Sequence, residues 1–252
     1  MRDKSKVPAA DATLAVLSFL ARQARPAPAA RIAAAAGLPR STTYDLLAVL
    51  VQRGFVIHYE QDRAYGLGAA AYELSSGYAR QAPLAVLGRR VGEALAAELG
   101  ESTHVAVLHG RDVLYVVESR APGRPSLVTD VGVRLPAHLT ASGRAMLAAL
   151  PAAQLRARYA GVRELEVRPG WESSLGYSVA RVMAEAKETR ARGHAVEDGE
   201  VTPGLRSIAV AVPDRAGWPL AAIAVTYPSE QELAGGLEAL RRAADRLSAL
   251  LG

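Results

Sequence analysis

Apolar residues in the first fifth of this chain recur every three or four positions, the spacing of one buried helical face. A first helix is predicted at about 11–23, with Leu14, Leu17, Ser18 and Ala21 on one stripe and Asp11 as N-cap. RPAP at 25–28 stops it. The stretch ARIAAAAGLPRSTTYDLLAVLVQRGFVI, 29–56, then reads as helix, tight turn, helix and strand. Ile32, Ala33 and Ala36 form the buried stripe of the shorter helix, Gly37 supplies the positive φ that ends it, and Pro39 pre-sets φ for the next. Leu46, Leu47 and Leu50 repeat along that second helix, whose other face begins with Arg40, Ser41, Thr42, Tyr44 and Asp45. Two short helices joined this way form a helix-turn-helix, whose second helix can enter the DNA major groove by its N-terminal end. GFVIHY, EQDR and AYGLG follow as strand, turn and strand, a wing behind that helix.

Downstream the pattern mixes both periods. Residues 69–81 are helical in composition and stop before Pro83. An amphipathic helix at 84–100 turns Leu84, Leu87, Val91, Leu95 and Leu99 inward and ends at Gly100. THVAVLH and DVLYVVES pair around Gly110-Arg111, and APGRPS leads to a short strand expected near Leu127 and Val128. HLTASGRAMLAAL enters a helix, Pro151 starts another, and a third is predicted at 174–192. EDGEV reads as loop, RSIAVAVP and PLAAIAVTYP as strands about the turn DRAGW, and 230–251 as a closing amphipathic helix. Strand pairs separated by helices give an α+β class with an antiparallel sheet. The expected divisions are a flexible tail at 1–10, a winged helix-turn-helix at 11–68, a linker helix at 69–82 and a second domain at 83–252.

Charge changes the picture by its distribution. The chain carries +5 overall. Residues 1–82 hold ten basic and six acidic residues, whereas 83–252 hold twenty and nineteen, so the excess lies with the helix-turn-helix, as phosphate contact requires. The absence of cysteine excludes disulfides, thiolate catalysis and Cys-ligated zinc. The polar start MRDKSKVPAADA is no signal peptide and no apolar run reaches membrane-spanning length, so a cytoplasmic location is expected. His58, His104, His109, His138 and His194 are scattered without ligand spacing, and GxSxG, P-loop and strand-linked GxGxxG motifs are absent. Neither a metal, a cofactor nor catalysis is expected.

The chain resembles the IclR-type transcriptional regulators over nearly its whole length. GLPRSTTYDLLAVLVQRGFV is similar to that family's recognition helix, and YGLG to the end of its wing. LPAHLTASGRAMLAAL resembles its sensor-domain loop and helix, and EDGEVTPGLRSIAVAVPDRAGWPLAAIAVTYP its most diagnostic block. The resemblance implies a regulator of a nearby metabolic operon that binds palindromic double-stranded operator DNA as a homodimer or homotetramer. It also implies that 83–252 carries effector binding, for a small organic or aromatic acid, and oligomerisation. Ser207 stands where the family often has Cys, Asp45 where many members carry a basic or neutral residue, and Thr43 where an aliphatic residue is more usual.

Candidate DNA contacts are Arg40, suited to guanine or phosphate, with Ser41, Thr42 and Tyr44 beside it; Ser41 or Thr42 could instead cap the helix and Tyr44 simply pack. Asp45 either accepts from cytosine or stabilises the first turn, and Arg31 and Arg63, the latter at the wing tip, are phosphate candidates. Thr43 is expected in the core. The resemblance carries His138, Thr140, Ala141, Ser142 and Gly143 into an effector site, where Thr140 and Ser142 precede a helix whose free N–H groups attract carboxylates. Glu197 and Asp198, and Ser207, Ala224 and Thr226 on the paired strands, complete the set; the bland reading of the two acids is a solvated turn. The competing functions are a metabolite-binding protein or enzyme with a degenerate DNA-binding domain, and a nucleoid-type protein with no effector.

Overall fold

The computed structural model describes residues 6–81, 83–124, 127–163, 165 and 178–251. The chain divides into two compact units, Met1–Gln81 and Ala82–Gly252.

The first unit runs α1 (Pro8–Leu20), β1 (Ala27–Pro28), α2 (Ala29–Ala36), α3 (Arg40–Gln52), β2 (Val56–Tyr59), β3 (Ala64–Leu67) and α4 (Ala69–Gln81). α1 starts three residues before the predicted boundary, so residues 8–10 are helix and not tail. Pro8 suits the first turn because its missing N–H would be unpaired there anyway; Val7 is the N-cap, and Asp11 lies in the first turn instead of capping it. The buried stripe is Val16 and Leu20, with Leu17 and Phe19 against it, whereas Leu14 faces solvent. α2 ends where Gly37 takes φ 67°, and Leu38 N–H closes onto the Ala33 carbonyl at 2.9 Å. Ile32, Leu47 and Leu50 meet Val16, Leu20 and Val56 in one core. The proline-rich break does more than stop a helix: Ala27 and Pro28 pair with β3 as one edge of a three-stranded sheet ordered β1-β3-β2, a place where Pro's missing donor is tolerated.

The second unit contains α5 (Pro83–Leu99), β4 (Ser102–His109), β5 (Asp112–Ser119), β6 (Arg134–Pro136), α6 (Ala141–Ala149), α7 (Ala152–Arg158), α8 (Val179–Arg192), β7 (Ala195–Asp198), β8 (Leu205–Pro213), β9 (Pro219–Pro228) and α9 (Gly236–Leu251). Its six-stranded sheet is ordered β6-β5-β4-β9-β8-β7, antiparallel throughout. Strand alternation sends Val105, Ile208, Val210, Ile223 and Val225 to the face covered by α5 and α9, where Val91, Leu95, Leu240 and Leu247 meet them. The other face is lined by small residues, Ala209, Ala222 and Ala224, which let α6 settle through Ala141, Ala145 and Met146.

Several boundaries differ from expectation. Leu127 and Val128 form no strand; β6 pairs with β5 further on, at Arg134–Pro136. Glu197 and Asp198 belong to β7, on the sheet edge, not to a loop. α8 begins after Ser178, whose hydroxyl accepts from Arg181 N–H at 3.2 Å; the predicted start at 174–177 lies outside the described residues. α9 begins at Gly236, after a turn in which Leu233 folds so close that a Cβ on Gly236 would meet its side chain at 2.4 Å.

Two local features set the inner face. Val105 pairs with Val117 but Ala106 with Tyr115, so Val116 is the extra residue of a β-bulge. The bulge breaks the alternation, leaving Val117 with the α5 and α9 core while Tyr115 joins the opposite one. At the start of α6, a Cβ on Gly143 would lie 2.1 Å from the Ala137 carbonyl oxygen. Backbone cannot move aside as a flexible side chain can, so Gly143→Ala should destabilise the protein by about 2 kcal/mol or more. Urea unfolding of the full chain checks this; an unchanged midpoint would mean that α6 does not sit as described.

Candidate functional site

The first candidate surface is the start of α3. Arg40, Ser41, Thr42, Tyr44 and Asp45 are all exposed, while Thr43 is fully buried and its Oγ1 donates to the Pro39 carbonyl at 2.9 Å. Neither Ser41 nor Thr42 caps the helix: the N-cap is Pro39, and no side chain bonds the first-turn N–H groups. That end therefore offers hydroxyls, a guanidinium and the positive end of the helix dipole to solvent. Arg63 sits at the wing tip with φ 48°, the one non-glycine residue in the left-handed region among the described residues. His58 stacks on Tyr65 at 4.4 Å within the wing. Arg31 is exposed on α2, its guanidinium 6.0 Å from the Phe19 ring centroid.

The second candidate is a buried polar cleft in the other unit, between the inner sheet face and the N-terminus of α6. Seven of the residues picked from the sequence line it: Thr140, Ala141, Ser142, Glu197, Ser207, Ala224 and Thr226. Cross-strand register explains the last three, since Ser207 pairs with Thr226 and their hydroxyls bond at 2.9 Å, with Ala224 two residues along the same face. Thr140 caps α6 by accepting from Gly143 N–H at 3.0 Å. The hydroxyls of Ser142 and Thr140 also hydrogen-bond Tyr115, whose pKa burial drives well above the usual phenol value. His104 projects from β4 and shares a 2.9 Å hydrogen bond with Thr129. Burial, aided by Arg120, lowers the His104 pKa to about 4, so the ring is neutral. Glu197 accepts from Val201 N–H at 2.8 Å, and burial raises its pKa to about 7, Glu200 adding to the effect against that hydrogen bond. The free space is about 10 Å³, room for a single water.

Three residues assigned to the effector site fall elsewhere. His138 is buried but lines two other cavities, and its carbonyl accepts from Arg144 Nε at 2.9 Å. Gly143 supports the cleft without lining it, its N–H being taken by Thr140. Asp198, one step along β7 from Glu197, points to the surface, where it pairs with Arg206 at 2.5 Å and accepts from Ser229 at 2.7 Å; Arg206 and Ser229 hold its pKa below the usual carboxylate value. In a strand, neighbouring acids must part to opposite faces.

Four cleft residues escape the sequence reading: His104, Tyr115, Thr129 and Val201. A fifth missed residue, Arg144, fixes the surrounding frame. It is 7% exposed, and it bonds the carbonyls of His138 and Val196 while pairing with Glu200 at 2.7 Å. A polar side chain inside the apolar runs THVAVLH and DVLYVVES is the signal that marks His104 and Tyr115. Thr129 and Val201 come from loops, and nothing in the sequence brings them here. Among the described residues, no group of three or more His, Cys, Asp or Glu could hold a metal ion.

Two family models match this chain: the IclR helix-turn-helix domain over residues 9–58, and the bacterial transcriptional regulator IclR C-terminal domain over 77–249. The Pca regulon regulatory protein of Pseudomonas putida is 32% identical over 214 residues, 84% of this chain and 72% of its own length. The crystal structure of an IclR transcriptional regulator from Alicyclobacillus acidocaldarius aligns with TM-score 0.84 at 23% identity, covering 98% of this chain and all of that one. An IclR homologue from Microbacterium hydrocarbonoxydans, crystallised with 4-hydroxybenzoate, aligns with TM-score 0.75 at 24% identity over 96% of this chain and 98% of its own.

The buried Glu197 has a consequence for stability. Its folded pKa of about 7 lies above its ordinary 4.5, so the folded state holds the proton more tightly than the unfolded chain. Stability is therefore lost as pH rises from about 4.5 to about 7 and the loss levels off above. Glu197→Gln keeps an acceptor for Val201 and cannot ionise. The stability of the wild type relative to this variant should fall across that window by on the order of 3 kcal/mol. Denaturant unfolding of both proteins at pH 5 and pH 8 measures the difference; parallel profiles would place an ionised Glu197 in solvent.

Proposed function

The chain belongs to the IclR family of bacterial transcriptional regulators, and from that premise we propose that α3 reads a palindromic operator while the Glu197 cleft takes a small organic or aromatic acid. It is a regulator and not an enzyme, as its curated relatives are. The observation that carries the DNA reading is the row Arg40, Ser41, Thr42 and Tyr44, exposed on the second helix of a helix-turn-helix with no packing role for Arg40. A palindrome needs two such helices related by a two-fold axis, so the working species is a homodimer or a pair of dimers. No helix among the described residues is long and apolar enough to cross a membrane, which fits a regulator acting on DNA in the cytoplasm.

The effector reading rests on the cleft. Its hydroxyls at the start of α6, the neutral His104, the Ser207–Thr226 pair and the protonated form of Glu197, which burial favours up to about pH 7, offer donors to a carboxylate or phenol. The relative crystallised with 4-hydroxybenzoate supports an aromatic acid as effector, and the relative named as the regulatory protein of the Pca regulon supports control of a set of genes. Such a ligand far exceeds the 10 Å³ now free, so the segments bearing Thr129 and Val201 are the walls that move to admit it. That motion is what gives the effector different affinities for two states of the protein.

The first experiment is fluorescence anisotropy on DNA from upstream of the gene and its neighbours, against scrambled DNA, at two salt concentrations. Specific binding should survive the higher salt, whereas binding through phosphate attraction alone collapses on every sequence. Arg40→Ala should lower affinity for the preferred DNA by about tenfold or more while leaving thermal stability unchanged, because the side chain is exposed. Equal binding by the variant would remove Arg40 from the interface.

A further inference from the structure

A cavity of about 470 Å³ lies at the tip of the β4–β5 hairpin and shares no residue with the cleft described above. His109, Arg111 and Asp112 of the hairpin face His138 and the end of α7, Arg158 and Tyr159, across it. Among the described residues, two donors there are buried without a hydrogen-bond partner: the Tyr159 hydroxyl and Arg158 Nε. Tyr159 is only 2% exposed. Folded proteins rarely bury a donor unpaired, so two of them in one cavity call for a ligand.

The charges say which kind. Arg158 uses Nη1 to donate to the Gly110 carbonyl, and the buried Nε of the same guanidinium fork has no partner among the described residues. Arg111, Arg158 and Asp112 are all near enough to act electrostatically on the Tyr159 hydroxyl. At the rim Arg134 Nη2 donates to His109 Nε2 at 3.3 Å. Among the described residues, three guanidiniums against one carboxylate give the cavity a positive excess, and an unpaired guanidinium N–H beside an unpaired hydroxyl fits two oxygens of one oxyanion.

We propose that this cavity is a second ligand site, for the phosphate or carboxylate group of a small metabolite, held by the Arg158 fork and the Tyr159 hydroxyl with Arg111 supplying charge. It is independent of the effector cleft and stands whether or not that cleft binds an aromatic acid. The probes are inorganic phosphate and succinate, titrated into the full-length protein against sodium chloride of matched ionic strength, with thermal unfolding and calorimetry as readouts. At least one anion should raise the unfolding midpoint saturably beyond the chloride control; phosphate alone would identify a phosphoryl ligand, and succinate alone a carboxylate.

Tyr159→Phe removes a hydroxyl that bonds nothing among the described residues, so it should unfold at the same midpoint or higher without anion, yet bind the anion about tenfold more weakly. Arg158→Lys keeps the charge, loses the fork and should weaken binding at least as much. The proposal fails if neither anion acts beyond chloride at concentrations up to about tens of millimolar, an affinity too weak for a metabolite site. It fails equally if Tyr159→Phe binds as the wild type does, and that variant decides the matter should Arg158→Lys not fold.

Discussion

The cleft depends on a contact between two stretches of backbone. α6 can lie against the Ala137 peptide only because residue 143 has no side chain. That approach puts the first turn of α6 over the inner sheet face, so Thr140 and Ser142 point at Tyr115 and not at water. The alanines beneath, at 209, 222 and 224, leave the depth for it. Arg144, the next residue, then ties the helix to its own lead-in turn through the His138 carbonyl, to β7 through the Val196 carbonyl and to Glu200 through an ion pair. One glycine thus sets the distance, and one arginine holds it.

Placing polar groups in such a space has a cost, and the cleft meets it by mutual satisfaction. Ser207 and Thr226 bond each other, Thr129 bonds His104, and Thr140 caps its own helix. Burial favours the neutral forms of the ionisable groups, His104 and Tyr115 throughout the neutral range and Glu197 up to about pH 7. A ligand with its own donors and acceptors can substitute for these internal bonds, which is the condition for exchange without a large desolvation penalty. The β-bulge at Val116 belongs to the same design: without its extra residue Tyr115 would share the face of Val117 and leave the cleft without its phenol.

Local chemistry makes much of this arrangement legible in the sequence. Gly37 and Pro39 mark the helix-turn-helix, and Ser207, Ala224 and Thr226 fall on one face because strand periodicity is two. Thr140 reads as a cap and is one. What stays hidden depends on distant partners. The phase of α1 is set by the core it packs on, so periodicity alone turns Leu14 inward where Val16 is the buried residue. Glu197 and Asp198 look alike in a loop, and only their inclusion in β7 separates the buried acid from the surface one. His138 is named by motif similarity, yet it lines two other cavities, one of them with Tyr159, and not the cleft. Thr129 and Val201 arrive from loops with no periodicity to betray them.

The central claim is that the cleft and α3 are two sites of one ligand-responsive regulator. Coupling between two binding sites is reciprocal, so an effector that changes operator affinity must have its own affinity changed by the operator by the same factor. The direct test is to measure the dissociation constant of an effector acid, 4-hydroxybenzoate being the first to try, by calorimetry on the protein alone and on the protein saturated with its operator. The account predicts two different constants, about fivefold or more apart, matching the shift that the same acid produces in operator affinity. An acid that binds the Glu197 cleft with one and the same constant in both states would show that the two sites do not communicate, and would contradict the account.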